Sequence, residues 1–394
     1  MPFAVANNAV ASGEMGGNIY VYSFGGIDTS KVWTGQTRRA FRYDVTNDIW
    51  DEIDSLPVTL PLIASAASTV KNKIYIIGGY HVYSSGNETS SDEVIIYNPE
   101  TNAYETNGAA IPIPIDDQVQ CVWRDSLIYV ITGWSNTLTV PVVQIYDPSL
   151  NQWSQGTDVP PASVEYECFG ASGTIIGDTI YYYGGASLGS NFPGRSEIRK
   201  GVIDAADPTQ IDWSLLTDAP VPNYRSAAIS HGNNLFWVGG SETTYNYNGI
   251  AYNGTGGVAP NFKIMRYEAY YNDWYEGTGS PYGVMDLRGA GQVSATEWII
   301  CGGMDTAQIV SDRTFLLTYD PIVGGVQEND EPLFRIVNRE IIFDESVSNL
   351  KLIGLDGKLV SELKDFKIDD RFSGVFILEY QTNKGIFRDK VFVE

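Results

Sequence analysis

The sequence contains little cysteine, little histidine and few positive charges. Three cysteines and two histidines occur in 394 residues, and 25 lysines and arginines stand against 48 aspartates and glutamates. Because the cysteines form no close pair, they provide neither a disulfide framework nor a CxxC metal motif. Each one lies in an apolar run, so we expect Cys121, Cys168 and Cys301 to be small core residues.

The acidic excess limits the partners of the chain. Residues 332–394 hold 10 lysines and arginines and 11 aspartates and glutamates, which leaves 15 against 37 on residues 1–331. Such a surface repels nucleic acid and anionic membranes, so we predict no nucleic-acid partner. It suits an extracellular protein with a neutral or cationic partner, or weak calcium sites, and solubility alone also explains it. We expect no cofactor, with calcium as an open alternative.

Signals of several common protein classes are missing. No apolar run is long enough to span a membrane, so we predict no transmembrane segment. The first residues, MPFAVANN, have no basic or apolar segment, and no signal peptide is visible. Neither a GxSxG nucleophile elbow nor a P-loop is present. Helix-forming residues are sparse and no long stretch has a 3.6-residue apolar period, which predicts an all-β protein.

The sequence does contain a repeat of about 50 residues. A glycine doublet, or Thr-Gly in one case, ends a run of apolar and aromatic residues six times. The doublets are Gly25-Gly26, Gly78-Gly79, Thr132-Gly133, Gly184-Gly185, Gly239-Gly240 and Gly302-Gly303. Their spacings of 53, 54, 52, 55 and 63 residues indicate a repeat architecture.

Two further markers keep phase with the glycines. A tyrosine and a polar residue, or a variant of this pair, follow each doublet: Tyr43-Asp44, Tyr97-Asn98, Tyr146-Asp147, Ile203-Asp204, Tyr267-Glu268 and Tyr319-Asp320. An aromatic residue follows seven residues after four of these tyrosines, at Trp50, Tyr104, Trp153 and Trp274, and Trp213 takes this role in the fourth repeat. This pattern resembles the kelch repeat, which implies a six-bladed β-propeller over residues 1–325.

The implied fold explains why these residue types recur. One four-stranded blade cannot bury both faces of its sheet, whereas blades packed radially around a channel can. Glycine allows close approach of the neighbouring chain, and Tyr and Trp fill the space between blades. The fourth strands are one short, because no aromatic follows Tyr319 at the expected spacing. We expect a propeller that has been trimmed at its N-terminus and has lost a closing strand; alternatively, Val323 to Gln327 supply a degenerate strand.

A second domain is expected after a linker at residues 326–332. Residues 333–394 contain short apolar runs and the turn signals Asp356-Gly357 and Asn383-Lys384-Gly385, which predict a small antiparallel β-sandwich. The ending GVFILEYQTNKGIFRDKVFVE, with LKLIGLDGKLV before it, resembles the C-terminal sorting domain of type IX secretion cargo in Bacteroidota. The resemblance implies export through the periplasm by the type IX secretion machinery, to the medium or the outer-membrane surface. An accessory sandwich without a sorting role is the alternative.

In a propeller of this kind, the loop that enters the first strand and the loop after the glycine doublet open on one face. Counting 14 residues back from each doublet gives the expected channel-mouth positions Ala11, Ala64, Gln118, Gly170, Arg225 and Arg288. With their neighbours and the positions after the doublets, they give the predicted ligand-binding set: His81, Asp116, Asp117, Gln118, Trp134, Glu167, Arg225, Glu242, Arg288 and Asp305. Alternatively, the two arginines pair with neighbouring carboxylates and hold the loops together. The long loop 241–261, rich in Asn, Gly and Tyr, is typical of a recognition loop.

Two enzyme functions known in kelch propellers can be compared with these residues. Copper sites of the galactose oxidase type need two histidines on one face, but His231 lies in the turn SHGNN, on the face opposite to His81. We therefore predict no metal site. Sialic acid mutarotases are also six-bladed kelch proteins, and this resemblance makes Arg225, Arg288 and Glu167 candidate catalytic residues.

The combined interpretation is a secreted or cell-surface kelch propeller that binds an extracellular glycan or protein at the channel mouth. A carbohydrate-active enzyme of the sialic acid mutarotase type, working without a metal, is the first alternative. A structural or adhesive surface protein with a closed channel is the second.

Overall fold

The computed structural model of the chain consists of β-strands and two short 3-10 turns in the part that it describes. It describes residues 1–276, 279–319, 326–327, 334–337, 340–343, 347–354, 358–363, 366–368, 371–372, 374–382 and 385–393. The chain divides into two compact units, Met1–Thr318 and Tyr319–Glu394. No helix in the described part is long and apolar enough to cross a membrane.

The first unit contains six antiparallel sheets, blades one to six, that follow one another along the chain. Blade one has β1 (Ala9–Met15), β2 (Asn18–Phe24), β3 (Ala40–Asp44) and β4 (Ile49–Ile53); blade two has β5 (Ala66–Val70), β6 (Lys73–Ile77), the hairpin β7 (Tyr80–Val82) and β8 (Glu88–Ser90), β9 (Val94–Asn98) and β10 (Ala103–Tyr104); blade three has β11 (Val119–Trp123), β12 (Leu127–Ile131), the hairpin β13 (Trp134–Ser135) and β14 (Leu138–Thr139), β15 (Val143–Asp147) and β16 (Gln152–Gln155); blade four has β17 (Phe169–Ile176), β18 (Thr179–Ala186), β19 (Ile198–Ile203) and β20 (Ile211–Leu215); blade five has β21 (Ala227–His231), β22 (Asn234–Val238), β23 (Ile264–Glu268) and β24 (Asp273–Glu276); blade six has β25 (Gly291–Gln292), β26 (Glu297–Cys301) and β27 (Thr314–Thr318). The 3-10 turns are Trp33–Gly35 and Thr306–Gln308. The predicted all-β fold with six blades is confirmed.

Each blade is an antiparallel meander whose first strand lies nearest the centre. The first strands of neighbouring blades contact each other, and an isolated bridge between Ala9 and Arg288 joins blade one to blade six. The ring is therefore closed. Blade six has three strands among the described residues, one fewer than each of the other blades.

The glycine doublets bind each blade to the next one. The amide of the second glycine donates a hydrogen bond to a carbonyl in the loop that enters the following blade. These bonds are Gly26 to Leu62 (3.1 Å), Gly79 to Ile115 (2.9 Å), Gly185 to Asn223 (2.8 Å), Gly240 to Val284 (2.9 Å) and Gly303 to Val5 (2.9 Å). In blade three, the hydroxyl of Thr132 bonds both the carbonyl and the amide of Cys168 instead. Because Val5 precedes blade one, the bond from Gly303 closes the ring.

The Tyr and Trp markers form a clamp on the outer hairpin of the blade. Four pairs lie directly opposite each other on the third and fourth strands, with ring centroids 4.9–5.1 Å apart: Tyr43 and Trp50, Tyr97 and Tyr104, Tyr146 and Trp153, and Tyr267 and Trp274. The seven-residue spacing is therefore the length of this hairpin. The tryptophan indole also reaches the preceding blade, as when Trp153 donates to the carbonyl of Ala109 at 2.8 Å.

The three cysteines lie in the core between blades, as predicted, and are unpaired. Cys121 and Cys168 belong to the apolar cluster shared by blades three and four. Cys301 lies in the cluster that joins blade six to blade one. Burial raises the pKa of the thiols of Cys121 and Cys301 to about 12, so both remain protonated.

The second unit contains a five-stranded sheet and a hairpin. Its strands are β28 (Val326–Gln327), β29 (Phe334–Val337), β30 (Glu340–Phe343), β31 (Ser348–Ile353), β32 (Leu359–Glu362), β33 (Gly374–Thr382) and β34 (Gly385–Val393). The sheet order is β28-β34-β33-β31-β32, with β28 parallel to β34, and β29 pairs with β30. Ile341 of the hairpin packs with Leu352 and Leu378 of the sheet in one core, which is the predicted small sandwich.

Three sequence expectations bear on this second unit. Val326 and Gln327, expected in the linker, form strand β28 of its sheet. They consequently do not close blade six, and this alternative is wrong for these two residues. The turn residues Asp356, Gly357, Asn383 and Lys384 lie outside the described residues.

We expect Gly184→Ala to destabilise the first unit by about 2–4 kcal/mol. Gly184 has φ of 77°, and an added Cβ would lie 2.1 Å from the carbonyl oxygen of Asn223 in the next blade. Gly177→Ala is the matched control in the same blade, because Gly177 has φ of 60° but no atom within 4 Å of an added Cβ. It should cost only the backbone strain, about 1–2 kcal/mol. Urea unfolding of both variants measures the difference, and equal losses would contradict the seam.

Candidate functional site

A small pocket lies at the mouth of the channel, where the loops predicted to share one face do meet. Its volume is about 100 Å³. We call it the mouth pocket, and it is lined by Tyr80, Glu88, Asp116, Asp117, Trp134, Phe169, Phe192, Arg225, Asn246 and Tyr252. These residues come from blades two to five. The long loop 241–261 contributes two of them, Asn246 and Tyr252.

One residue per blade with a left-handed backbone surrounds the channel at this level. The six are Asn7, Ala64, Asp117, Gly170, Arg225 and Asp286, with φ between 49° and 68°. Backbone hydrogen bonds of 2.8–3.3 Å connect these loops around the ring, from Ala64 to Asn7, Asp117 to Ala64, Gly170 to Asp117, Arg225 to Gly170, Leu287 to Arg225 and Asn7 to Asp286. Five of the six are not glycine, so the closed ring of bonds must hold them in this conformation.

The ring corrects three of the expected channel-mouth positions. The fixed count of 14 residues finds Ala64, Gly170 and Arg225, but it points to Ala11, Gln118 and Arg288 where Asn7, Asp117 and Asp286 stand. The count assumes five-residue strands and a two-residue turn. Blade one has seven-residue strands, and blades three and six have longer turns, so the count starts too far along the chain.

Two arginines and two aspartates close the channel below the mouth pocket. Arg225 donates from Nε to Asp117 Oδ1 at 3.0 Å and from Nη1 to Asp286 Oδ1 at 3.0 Å, and its Nη2 bonds Asp117 Oδ2. Arg288 lies 3.6 Å from Asp117 and donates to the carbonyl of Gln118 at 2.8 Å. All four side chains are at least 94% buried. The predicted pairing of the two arginines with carboxylates is therefore present, and it connects blades three, five and six.

Burial changes the acidity of this buried cluster. It raises the pKa of Asp286 to about 6, although the guanidinium of Arg225 opposes the shift. Burial also lowers the pKa of Arg288, against the attraction of Asp117. The carboxylate of Asp117 raises the pKa of Arg225, which therefore stays charged.

The hairpin β7–β8 sets which side chains face the mouth pocket. Tyr80 pairs with Ser90 and Val82 with Glu88 across the hairpin, and directly opposite residues of an antiparallel pair share a face. Tyr80, Glu88 and Ser90 therefore lie on the inner face. Ser90 Oγ donates to Asp116 Oδ2 at 2.5 Å, which ties the hairpin to blade three.

Two carboxyl groups of the mouth pocket are not neutralised by arginine. Asp116 is 3% exposed, and within the described residues Ser90 is the only hydrogen-bond donor to its side chain. Glu88 makes no side-chain hydrogen bond or ion pair to any described residue. Burial raises the pKa of both groups, and the negative charge of Asp117 raises them further.

Aromatic rings form the opposite side of the mouth pocket. Trp134, Phe169 and Phe192 pack edge to face, with centroids 5.3–5.6 Å apart. Tyr252 adds a fourth ring, 4.9 Å from that of Phe192. Rings fixed by such mutual contacts present rigid faces and edges to anything that enters.

Four predicted site residues line the mouth pocket: Asp116, Asp117, Trp134 and Arg225. Gln118 and Arg288 lie deeper and line a separate cavity of about 180 Å³ in the channel, together with Ser68, Gln120, Ser172 and Ser226. The amide of Gln118 donates to the carbonyl of Ile77 at 2.9 Å. These two residues therefore belong to the channel wall under the ion cluster.

The other predicted site residues lie outside the mouth pocket. His81 is on the outer face of the β7–β8 hairpin, 3.0 Å from the carbonyl of Pro61 and packed on Tyr83. The carboxylate of Glu167 accepts the amide of Ala162 and so bridges its own loop. Glu242 is exposed, and Asp305 precedes the 3-10 turn Thr306–Gln308.

The sequence analysis missed Tyr80, Glu88, Phe192 and Tyr252. A signal existed for Glu88, because the turn residues SSGN between Tyr80-His81-Val82 and Glu88-Thr89-Ser90 indicate a hairpin. Its alternation would have exchanged His81 for Tyr80 on the inner face.

The two histidines lie at opposite ends of their blades. His231 ends β21 and its Nδ1 lies 2.9 Å from the carbonyl of Ala295, whereas His81 follows the glycines on the mouth side. The predicted separation is confirmed. The described residues contain no group of three or more His, Cys, Asp and Glu side chains placed to hold a metal ion.

Known proteins support the repeat. Residues 63–106 match the kelch motif. Kelch-like protein terF of Aspergillus terreus is 25% identical over 62% of this chain and 51% of its own length. Kelch-like protein 23 of Homo sapiens is 27% identical over 43% of this chain and 28% of its own length. Beta-scruin of Limulus polyphemus is 22% identical over 68% of this chain and 26% of its own length.

A solved structure supports the fold. The structure of YjhT aligns with a TM-score of 0.65 and 16% identity, over 82% of this chain and 97% of that one. The first unit is a kelch-repeat β-propeller. The chain spans about half of the length of terF and about a quarter of the other two curated relatives, so their activities do not transfer with the propeller.

We expect Arg225→Ala to destabilise the kelch propeller by about 3–5 kcal/mol, because Asp117 and Asp286 would remain buried without a counter-charge. Arg124→Ala is the matched control, since Arg124 forms a similar two-nitrogen contact to Asp178 on the exposed surface. This exposed pair should contribute less than about 1 kcal/mol. Urea unfolding at pH 7 compares them, and equal losses would show that the buried cluster does not hold the ring.

Proposed function

We propose that the kelch propeller is a binding module that receives an extracellular glycan or protein at the mouth pocket. The observation that carries this proposal is the convergence of loops from four blades on one cavity with polar and aromatic walls. Loops held by a rigid scaffold are the usual place for recognition. The pocket is smaller than a site for a drug-sized molecule, so it would anchor one group of a larger ligand.

Binding is a better account of this geometry than sugar isomerisation. A mutarotase needs an acid and a base free to reach the substrate. Glu167 is engaged in its own loop, and the nitrogens of Arg225 are held by Asp117 and Asp286. Arg288 lies below the ion cluster, outside the mouth pocket. None of the three candidate catalytic residues therefore presents a free group to the pocket.

The structural alternative shares one feature with the proposal. The ion cluster of Asp117, Arg225, Asp286 and Arg288 closes the channel between the mouth pocket and the deeper cavity, as expected for a structural propeller. The mouth pocket lies outside this closure, and Glu88 and Trp134 at its rim are only partly buried. A closed channel is therefore compatible with binding at the mouth.

Trp134→Ala should weaken ligand binding about 30-fold, because a central aromatic anchor typically contributes about 2 kcal/mol or more. The screen is a glycan array together with an array of immobilised extracellular proteins, followed by titration of each hit. Trp33→Ala is the control, since Trp33 is an exposed tryptophan in the equivalent loop of blade one, outside the pocket. Equal losses in both variants, or none in Trp134→Ala, would move the binding site away from the mouth.

The second unit is proposed to serve as the sorting domain of the chain. The support is the resemblance of its last two strands and their companion hairpin to type IX sorting domains, together with their position in a compact unit of their own. A sorting role would place the propeller outside the cell or on its outer surface.

Deletion of residues 333–394 should abolish export from a host with type IX secretion, while the propeller keeps its unfolding transition. Cell fractionation measures the export, and calorimetry of the truncated chain measures the fold. As a control, fusion of residues 333–394 to an unrelated periplasmic carrier should export that carrier. Export of the truncated chain, or retention of the fused carrier, would contradict the sorting role.

A further inference from the structure

We infer that the mouth pocket recognises a positively charged group, an ammonium or guanidinium, on its ligand. This inference rests on the proposed function, because it names the chemistry of the ligand at the same site. It follows from the charge, the rings and the size of the pocket.

The acidic groups of the pocket exceed its available positive charge. Arg225 is the sole cationic side chain among the lining residues, and its nitrogens are already engaged by Asp117 and Asp286. Glu88 and Asp116 remain. A buried carboxylate without a counter-charge is costly, and a ligand that supplies the counter-charge removes this cost.

The geometry of Asp116 points to a ligand. Its side chain is 97% buried and lines the pocket, and Ser90 binds its Oδ2. No described residue donates to its Oδ1. An ammonium or guanidinium donates several hydrogen bonds and accepts none, so it matches an oxygen that lacks a donor.

The aromatic side of the pocket favours the same chemistry. The rings of Trp134, Phe192 and Tyr252 are the other wall of the cavity that holds the two carboxyl groups. Aromatic faces attract organic cations, and boxes of such rings bind ammonium groups in other proteins. A bare metal ion would instead require several oxygen ligands.

The size and surroundings of the pocket agree. A volume of about 100 Å³ admits one small polar group and a few carbons. The formal balance on residues 1–331 is 15 basic against 37 acidic side chains, which attracts cations towards the propeller. The cationic group could come from a lysine or arginine side chain of a protein or from an amino sugar of a glycan, and the experiment separates these sources.

Binding should weaken as the pH falls. Burial raises the pKa of Glu88 and Asp116, so acid converts them to neutral groups that attract a cation less. The charged and titratable groups that face them are Asp117, Arg225, Tyr80, Tyr247 and Tyr252. Burial raises the pKa of these tyrosines, so they stay neutral between pH 5 and 8. Asp286, whose pKa is about 6, lies beneath Arg225 and must be controlled for.

The test is calorimetric titration of the full chain with two amine probes and their neutral counterparts at pH 8 and pH 5. Nα-acetyl-lysine amide is compared with Nα-acetyl-norleucine amide, and glucosamine with glucose. We expect one amine or both to bind at pH 8, and the neutral counterpart to bind about 30-fold more weakly or not at all. The amine that binds identifies a protein or a glycan as the source of the cation.

Two isosteric variants localise the effect. Glu88→Gln and Asp116→Asn should each weaken amine binding about 30-fold, and the double variant should lose the pH dependence. Residual pH dependence in the double variant would assign it to Asp286. Glu165→Gln, an exposed carboxylate on the loop that enters blade four, should bind as the unaltered chain does. Thermal unfolding of each variant verifies the fold, and Glu88→Gln removes no hydrogen bond between described residues.

The outcomes separate the inference from the proposed function. Equal affinity for amine and neutral probes, no amine binding, or unchanged binding in both isosteric variants would overturn the cationic ligand. If the array ligands still lose affinity in Trp134→Ala under those results, binding at the mouth stands and only the charge assignment fails. If neither Trp134→Ala nor the isosteric variants alter any binding, both fail.

Discussion

The hydrogen bond from the second glycine of each doublet to the next blade is the contact on which the rest of the propeller depends. It uses backbone atoms on both sides, and a Cβ on the first glycine would collide with the same loop, as Gly78 shows against Ile115 at 2.3 Å. The acceptor carbonyls belong to the loops that carry the mouth residues. Ile115 directly precedes Asp116 and Asp117, and Asn223 lies two residues before Arg225. The seam between blades therefore also sets the position of the binding loops.

A second set of contacts runs in the opposite direction around the ring. The indole of each outer tryptophan bonds the preceding blade, from Trp50 to Thr314, Trp153 to Ala109, Trp213 to Thr157 and Trp274 to Thr217. Each of these blades is thus fixed near the mouth by glycine and at its outer edge by an indole. Loops on such a scaffold can carry strained backbone, which explains how Ala64 and Arg225 keep a left-handed conformation that their side chains disfavour.

The sequence predicted the parts of the molecule that depend on local spacing. The doublets and the seven-residue Tyr and Trp pairs have the same local geometry in most blades, so periodicity alone located them. The site depends on side-chain direction in short loop hairpins, which periodicity does not specify. His81 and Tyr80 are adjacent in sequence, yet the pleat of β7 places only Tyr80 at the pocket. Glu167 is near the mouth in sequence, but a bond to Ala162 holds it in its own loop.

The ion cluster explains why the acidic pair decides the chemistry of the mouth. Asp117, Arg225 and Asp286 connect three blades across the channel, so the floor of the pocket consists of side chains that also hold the centre of the ring. A ligand that competed for Arg225 would have to break this buried network, at the expense of the fold. Recognition is therefore left to groups above the cluster, where Glu88 and Asp116 have no partner arginine. The same desolvation that makes these two carboxyl groups costly when the pocket is empty makes them selective for a ligand that carries the opposite charge.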